Sequence, residues 1–189
     1  MPLNLPNILT LLRVAAIPLL VVLFYLSPPI ATWGCAAIFT LAAITDWLDG
    51  WLARRAGLVT AFGAFLDPVA DKLIVATALV LLAERYDDWF ITAAACVVIG
   101  REIVVSALRE WMAQLGHRAS VAVNTIAKFK TALQMIAITV LLAQLPGTAT
   151  PLLLMGEVLL LIAVVLTLWS MIVYLQAFYR VVKEKDGSA

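Results

Sequence analysis

Six stretches of this chain are long and apolar enough to cross a lipid bilayer, near residues 8–26, 32–55, 66–84, 89–110, 127–145 and 151–178. A transmembrane helix needs about 20 mostly apolar residues. Within hydrocarbon every backbone polar group must find its partner inside the protein, which leaves only helices and closed barrels. The apolar runs here are continuous rather than alternating, so a barrel is excluded. Of the 189 residues, 64% are hydrophobic and 13% charged, whereas soluble domains carry about 25% charged residues. The spans consume most of the chain and leave no room for a soluble domain. The expected fold is all-α: six transmembrane helices in one bundle, with residues 1–189 as a single membrane domain.

Lysine and arginine placement orients that bundle, because cytoplasmic loops carry the excess of both. Arg13 lies at the start of the first span, Arg54 and Arg55 close the second, and Lys72 opens the third. Arg101, Arg109, Arg118, Lys128 and Lys130 lie at or between the facing ends of spans four and five, and Arg180, Lys183 and Lys185 end the chain. Six spans put all of these on one side and only Arg85 on the other. Both termini are therefore expected to be cytoplasmic. Met1–Leu12 alternates Pro2, Asn4, Pro6 and Asn7 with leucines and Ile8, which suits a short interfacial segment; no removable signal peptide is expected. Cys35 and Cys96 fall within spans and read as small packing residues. His117, the sole histidine, cannot build a zinc site alone, and a net charge of +1 argues against nucleic acid as a partner.

Between Asp46 and Asp71 the sequence reads DWLDGWLARRAGLVTAFGAFLDPVAD, with four aspartates in a chain that is otherwise largely hydrocarbon. An acidic side chain at a membrane centre costs roughly 2.5–3.5 kcal/mol on insertion scales. Asp46, Asp49, Gly50 and Ala53 stand at i, i+3, i+4 and i+7, one face of a helix. They sit at the C-terminal end of the second span, where the helix dipole disfavours carboxylates without a cation. Gly63, Asp67 and Asp71 follow at i, i+4 and i+8, again one face if helical. A short turn at 56–60 lets the two faces oppose each other. Oxygen donors without histidine or cysteine suit Mg²⁺ or Mn²⁺, and Mg²⁺ completes its shell with substrate phosphates and water. Simpler readings exist for single residues. Asp67 before Pro68 could start a helix as a cap, or the helix could begin near Thr60 and contain both. Asp71 could pair with Lys72 or a distant arginine, and Asp46 and Asp49 could be solvated at the interface. Four such accidents at helical spacing are improbable together.

These residues fit D-x2-D-G-x2-A-R-x8-G-x3-D-x3-D, with Asp46, Asp49, Gly50, Ala53, Arg54, Gly63, Asp67 and Asp71 at every fixed position. In this the chain resembles the CDP-alcohol phosphatidyltransferase family of six-helix membrane enzymes. Asn4–Thr10 with Arg13, Arg101–Ile103 with Ser106, Leu108, Arg109 and Glu110, and Lys128–Thr131 with Gln134 extend the resemblance. They point to a bacterial branch whose acceptor is sn-glycerol 3-phosphate. The resemblance implies transfer of the phosphatidyl group of CDP-diacylglycerol to that acceptor with release of CMP, at the cytoplasmic face of the bacterial inner membrane. It further implies two metal ions on Asp46, Asp49, Asp67 and Asp71, with Asp67 bridging and Asp71 as the general base. Gly50, Ala53 and Gly63 would let the nucleotide approach the backbone, and Arg54 would reach a phosphate. A homodimer among membrane lipids is expected from the family alone.

The acceptor is a dianion and needs cations beyond the metals. Arg101, Arg109, Lys128 and Lys130 are the available set, with Arg13 and Thr10 near the same surface; Glu102 and Glu110 would hold the arginines in place. The same basic residues could instead merely touch lipid headgroups. The rival readings are a sibling transferase using inositol phosphate, serine or phosphatidylglycerol, and a cation transporter. A transporter predicts acidic residues spread near the bilayer midplane on several helices.

Overall fold

The computed structural model describes residues 4–56, 60–114, 125–145, 147–148 and 150–186, with side chains undescribed at 6, 47, 49–56, 125–128, 177, 180–182 and 184–186. Among the described residues there are six α-helices and no strand: α1 (Leu5–Phe24), α2 (Cys35–Ala56), α3 (Ala61–Tyr86), α4 (Trp89–Gln114), α5 (Thr125–Leu142) and α6 (Pro151–Asp186). A π-helical turn, Ile30–Gly34, leads into α2. Packing partners close a ring in the order α1, α3, α4, α6, α5, α2 and back to α1, while α3 also touches α2 and α5. The helix carrying Asp67 and Asp71 therefore has neighbours on several sides.

Asn7–Phe24, Trp89–Gln114 and Pro151–Gln176 are each long and apolar enough to cross a membrane, and Ile30–Asp46 and Phe129–Leu142 are shorter apolar helices. Among the described residues three helices are therefore of full spanning length, where six spans are expected from the sequence. Of the other helices, α3 has its apolar run interrupted by Asp67, Asp71, Lys72, Glu84 and Arg85. The outer surface is nonetheless hydrocarbon. Leu12, Val22, Ile103, Leu154, Val165 and Ile172 are all exposed, the pattern of a protein solvated by lipid. Trp33, Trp89 and Trp169 are exposed as well, as interfacial anchors should be.

Helix α1 turns its polar residues inward. Asn7, Thr10 and Arg13 recur every three residues and are buried, while Leu5, Ile8, Leu11 and Leu12 are exposed. Further along, Leu20 and Phe24 join Phe39 of α2, Ile74, Leu79 and Leu82 of α3, Ile91 and Val98 of α4, Ile138 and Leu141 of α5, and Leu160 of α6 in one apolar cluster. Where α6 crosses α5, Gly156 is buried, and a Cβ there would lie 2.9 Å from Leu141 Cδ2 and 3.2 Å from Val140 Cγ1. Small residues permit such close helix approach in membranes.

Polar side chains fix the helix ends. Thr60 caps α3 by accepting from the Gly63 amide at 3.0 Å. Asp88 accepts from the Phe90 and Ile91 amides at 2.7 and 3.2 Å and starts α4, and Thr150 accepts from the Leu153 amide at the start of α6. Arg85 donates to the carbonyl of Leu142, the last residue of α5, at 2.8 Å. It also lies 4.4 Å from the Phe24 ring centroid and 3.4 Å from the Ala31 carbonyl. Carbonyls at a helix C-terminus lack intrahelical partners, so this one arginine ties the ends of α5, α1 and the π turn together.

Candidate active site

Thr60, as the cap of α3, resolves the Asp67–Pro68 alternative: both lie inside the helix, and Asp67 is not a cap. Asp67 and Asp71, four residues apart, share a face of α3, and that face meets α2 at Asp46. Carboxylate oxygens of Asp46, Asp67 and Asp71 all lie within 4.8 Å of one another, with each residue partly buried. The convergence read from the spacing is thus present for these three. Asp49, Gly50, Ala53 and Arg54 lie on the α2 backbone, but their side chains are outside the described residues.

A cation from a third helix sits on this cluster. Arg13 of α1, only 1% exposed at its side chain, places Nη1 3.1 Å from Asp46 Oδ1 and 3.0 Å from Asp67 Oδ1, and pairs with Asp71 Oδ1. Arg13, expected among the cations on the acceptor's side, thus also stands on the aspartates. Thr10 is buried one turn before it. Its placement was foreshadowed by the polar spacing of Asn7, Thr10 and Arg13 in a helix whose other side chains are apolar. Asp71 pairs with this distant arginine and not with Lys72, which donates instead to Ser106 Oγ of α4.

Gly63 has a structural role of its own. A Cβ there would collide with Asn7 Oδ1 and come 3.1 Å from Thr60 Oγ1. Asn7 Oδ1 accepts from the Thr60 hydroxyl at 3.0 Å, so the glycine lets α1 dock against the start of α3. The link sits one turn before Asp67 and was missed from sequence, since Asn7 and Thr60 lie far apart in the chain.

Of the other expected cations, the structure brings Arg101 and Lys130 together through Glu102. Arg101 Nη1 pairs with Glu102 Oε1, Lys130 Nζ lies 3.7 Å from the same oxygen, and Arg101 Nη2 donates to Ser170 Oγ of α6 at 2.8 Å. Lys130 is 4% exposed and Gln134, one turn on, is equally buried. A lysine that deep is a functional candidate rather than a lipid-facing charge. Glu102 holds Arg101, as expected, while Arg109 and Glu110 are exposed. Lys128 lies on α5 with its side chain outside the described residues.

Three converging carboxylates, with no nitrogen or sulfur donor beside them among the described residues, are the donor set of a hard divalent cation such as Mg²⁺ or Mn²⁺. The site can hold such an ion.

Comparison with known proteins accords with this chemistry. The CDP-alcohol phosphatidyltransferase family matches residues 3–169. A protein of Sodalis glossinidius (strain morsitans) named CDP-diacylglycerol–glycerol-3-phosphate 3-phosphatidyltransferase is 54% identical over 177 residues, covering 94% of this chain and 96% of that protein. Proteins of the same name from Salmonella choleraesuis (strain SC-B67) and Escherichia coli (strain K12) are 54% and 52% identical over the same coverage. With the eight-position aspartate motif complete, three of its carboxylates converging and the family match spanning most of the chain, the chain belongs to the CDP-alcohol phosphatidyltransferase family.

Proposed function

We propose that this chain transfers the phosphatidyl group of CDP-diacylglycerol to sn-glycerol 3-phosphate, giving phosphatidylglycerophosphate and CMP. The observation that carries the reading is the convergence of Asp46, Asp67 and Asp71 from two helices, in a chain more than half identical to transferases of that name. Asp49, one helical turn after Asp46 on α2, would join Asp46, Asp67 and Asp71 in holding two divalent ions. Such ions, when bound, supply charge screening at the phosphates and stabilise the leaving group.

The remaining work falls to the chain's own residues. Gly50, Ala53 and Arg54 on α2 form the side on which the cytidine diphosphate lies, Gly63 seats α1 against the start of α3 beside it, and the lipid tails stay among membrane lipids. Asp71 takes the proton of the acceptor hydroxyl at a carboxylate oxygen. That oxygen of the acceptor bonds to the diacylglycerol-linked phosphorus, the bond from this phosphorus to the CMP oxygen breaks, and CMP departs with the electron pair. Arg101 and Lys130 bind the acceptor's phosphate, held by Glu102 and Ser170, and Thr10, Arg13, Arg109 and Lys128 contribute from the same side. Phosphoryl transfer depends chiefly on such positioning and charge stabilisation.

The lysine and arginine asymmetry orients the six helices with both termini and the aspartates at the cytoplasmic face of a bacterial inner membrane, and the working unit is a homodimer. Purified protein offered CDP-diacylglycerol with glycerol 3-phosphate, serine, inositol phosphate or phosphatidylglycerol, with and without chelator, tests the reading through CMP release. Release with glycerol 3-phosphate that stops on chelation is expected. Release with serine alone would assign a sibling activity, and cation flux without lipid nucleotide would favour a transporter.

A further inference from the structure

Arg13 Nη1 stands among the carboxylates of Asp46, Asp67 and Asp71, where an ion would also sit. A guanidinium pairs best with one carboxylate side by side, two N–H donors against two oxygens in a plane. Here one terminal nitrogen faces three carboxylates, at 3.1 Å from Asp46 Oδ1, 3.0 Å from Asp67 Oδ1, and hydrogen-bonded to Asp71. That nitrogen donates to Asp67 and Asp71, with the Asp46 carboxylate at ion-pair distance beside them. Oxygens arranged around a point suit a small sphere better than a planar fork, and divalent cations take oxygen ligands in such a shell.

We infer that Arg13 and a divalent ion are alternative occupants of Asp46, Asp67 and Asp71. In the metal-free protein the guanidinium holds three acidic side chains together that would otherwise repel across the α2–α3 boundary. An entering ion takes those oxygens and displaces the arginine, because a dication and a guanidinium nitrogen on the same oxygens would be only a few ångströms apart and like-charged. Arg13 is in this sense a positioning residue. It keeps Asp46 of α2 in register with Asp67 and Asp71 of α3 before metal arrives, and it becomes a released cation beside the substrate phosphates afterwards. The inference rests on the metal reading given above.

Two measurements on the full chain in detergent separate the possibilities. Paramagnetic resonance of titrated Mn²⁺ is expected to show Arg13→Gln binding the ion about tenfold or more tightly than wild type, as removal of a competing occupant requires. The same variant should melt at lower temperature in chelator and recover with Mn²⁺. In wild type, phenylglyoxal labelling of Arg13, located by mass spectrometry, should rise when Mg²⁺ replaces chelator, a readout that needs no variant to fold. Unchanged or weaker Mn²⁺ binding by Arg13→Gln, or labelling that Mg²⁺ leaves unchanged or lowers, overturns the inference alone. Mn²⁺ bound by neither protein overturns the metal reading and the inference with it.

Discussion

Replacing Asp71 by asparagine keeps the shape of the side chain and removes both its charge and its ability to take a proton. CMP release is expected to fall about 10²–10⁴-fold, the usual worth of a general base, while the circular-dichroism melting curve stays cooperative. Lys130→Met acts differently, because Lys130 is buried and paired with Glu102. It is expected to raise KM for glycerol 3-phosphate about tenfold or more, as loss of a charged contact to phosphate does, with a smaller effect on KM for CDP-diacylglycerol. Initial rates with each substrate varied in turn distinguish the two. The aspartates could be read from spacing because helical periodicity alone puts Asp67 and Asp71 on one face. The partner of those aspartates could not. Arg13 lies more than fifty residues away, and only the docking of α1 on α3 makes them neighbours.

Helix contacts carry their own predictions. Gly156→Val fills space already taken by Leu141 and Val140, so it should cost about 1–3 kcal/mol as overpacking does. Arg85→Met leaves the Leu142 carbonyl without its side-chain donor, at about 1–3 kcal/mol for an unsatisfied buried group. Both should appear as a lower midpoint of thermal unfolding, with CMP release per folded molecule little changed, since neither residue touches the aspartates. Hydropathy located every helix but misplaced several ends. Helix α3 begins at Ala61 and not near 66, because Thr60 caps it through a side-chain hydrogen bond that an apolar window cannot register. Helix α6 runs to Asp186, beyond the apolar stretch ending near 178, because apolarity reports the solvent a helix meets and not where its backbone bonds stop. The π turn at Ile30–Gly34 had no visible signature in the residues.

For the molecule as a whole, the buried polar stripe of α1 and the exposed leucines, valines and isoleucines describe a protein with its chemistry inside and hydrocarbon outside. The orientation proposed for it predicts that Lys183→Cys, in a chain whose own cysteines are changed to alanine, reacts with a membrane-impermeant thiol reagent only after the inner membrane is breached. Labelling of intact spheroplasts would reverse the topology. The central claim is narrower: Asp46, Asp67 and Asp71 are the ligands of a divalent metal centre at which phosphatidyl transfer takes place. Its most direct measurement is anomalous diffraction at the manganese edge from crystals soaked with Mn²⁺ and CDP-diacylglycerol. The account predicts an anomalous peak among these three carboxylates with the diphosphate beside it, and a nucleotide bound with no manganese among them would contradict it.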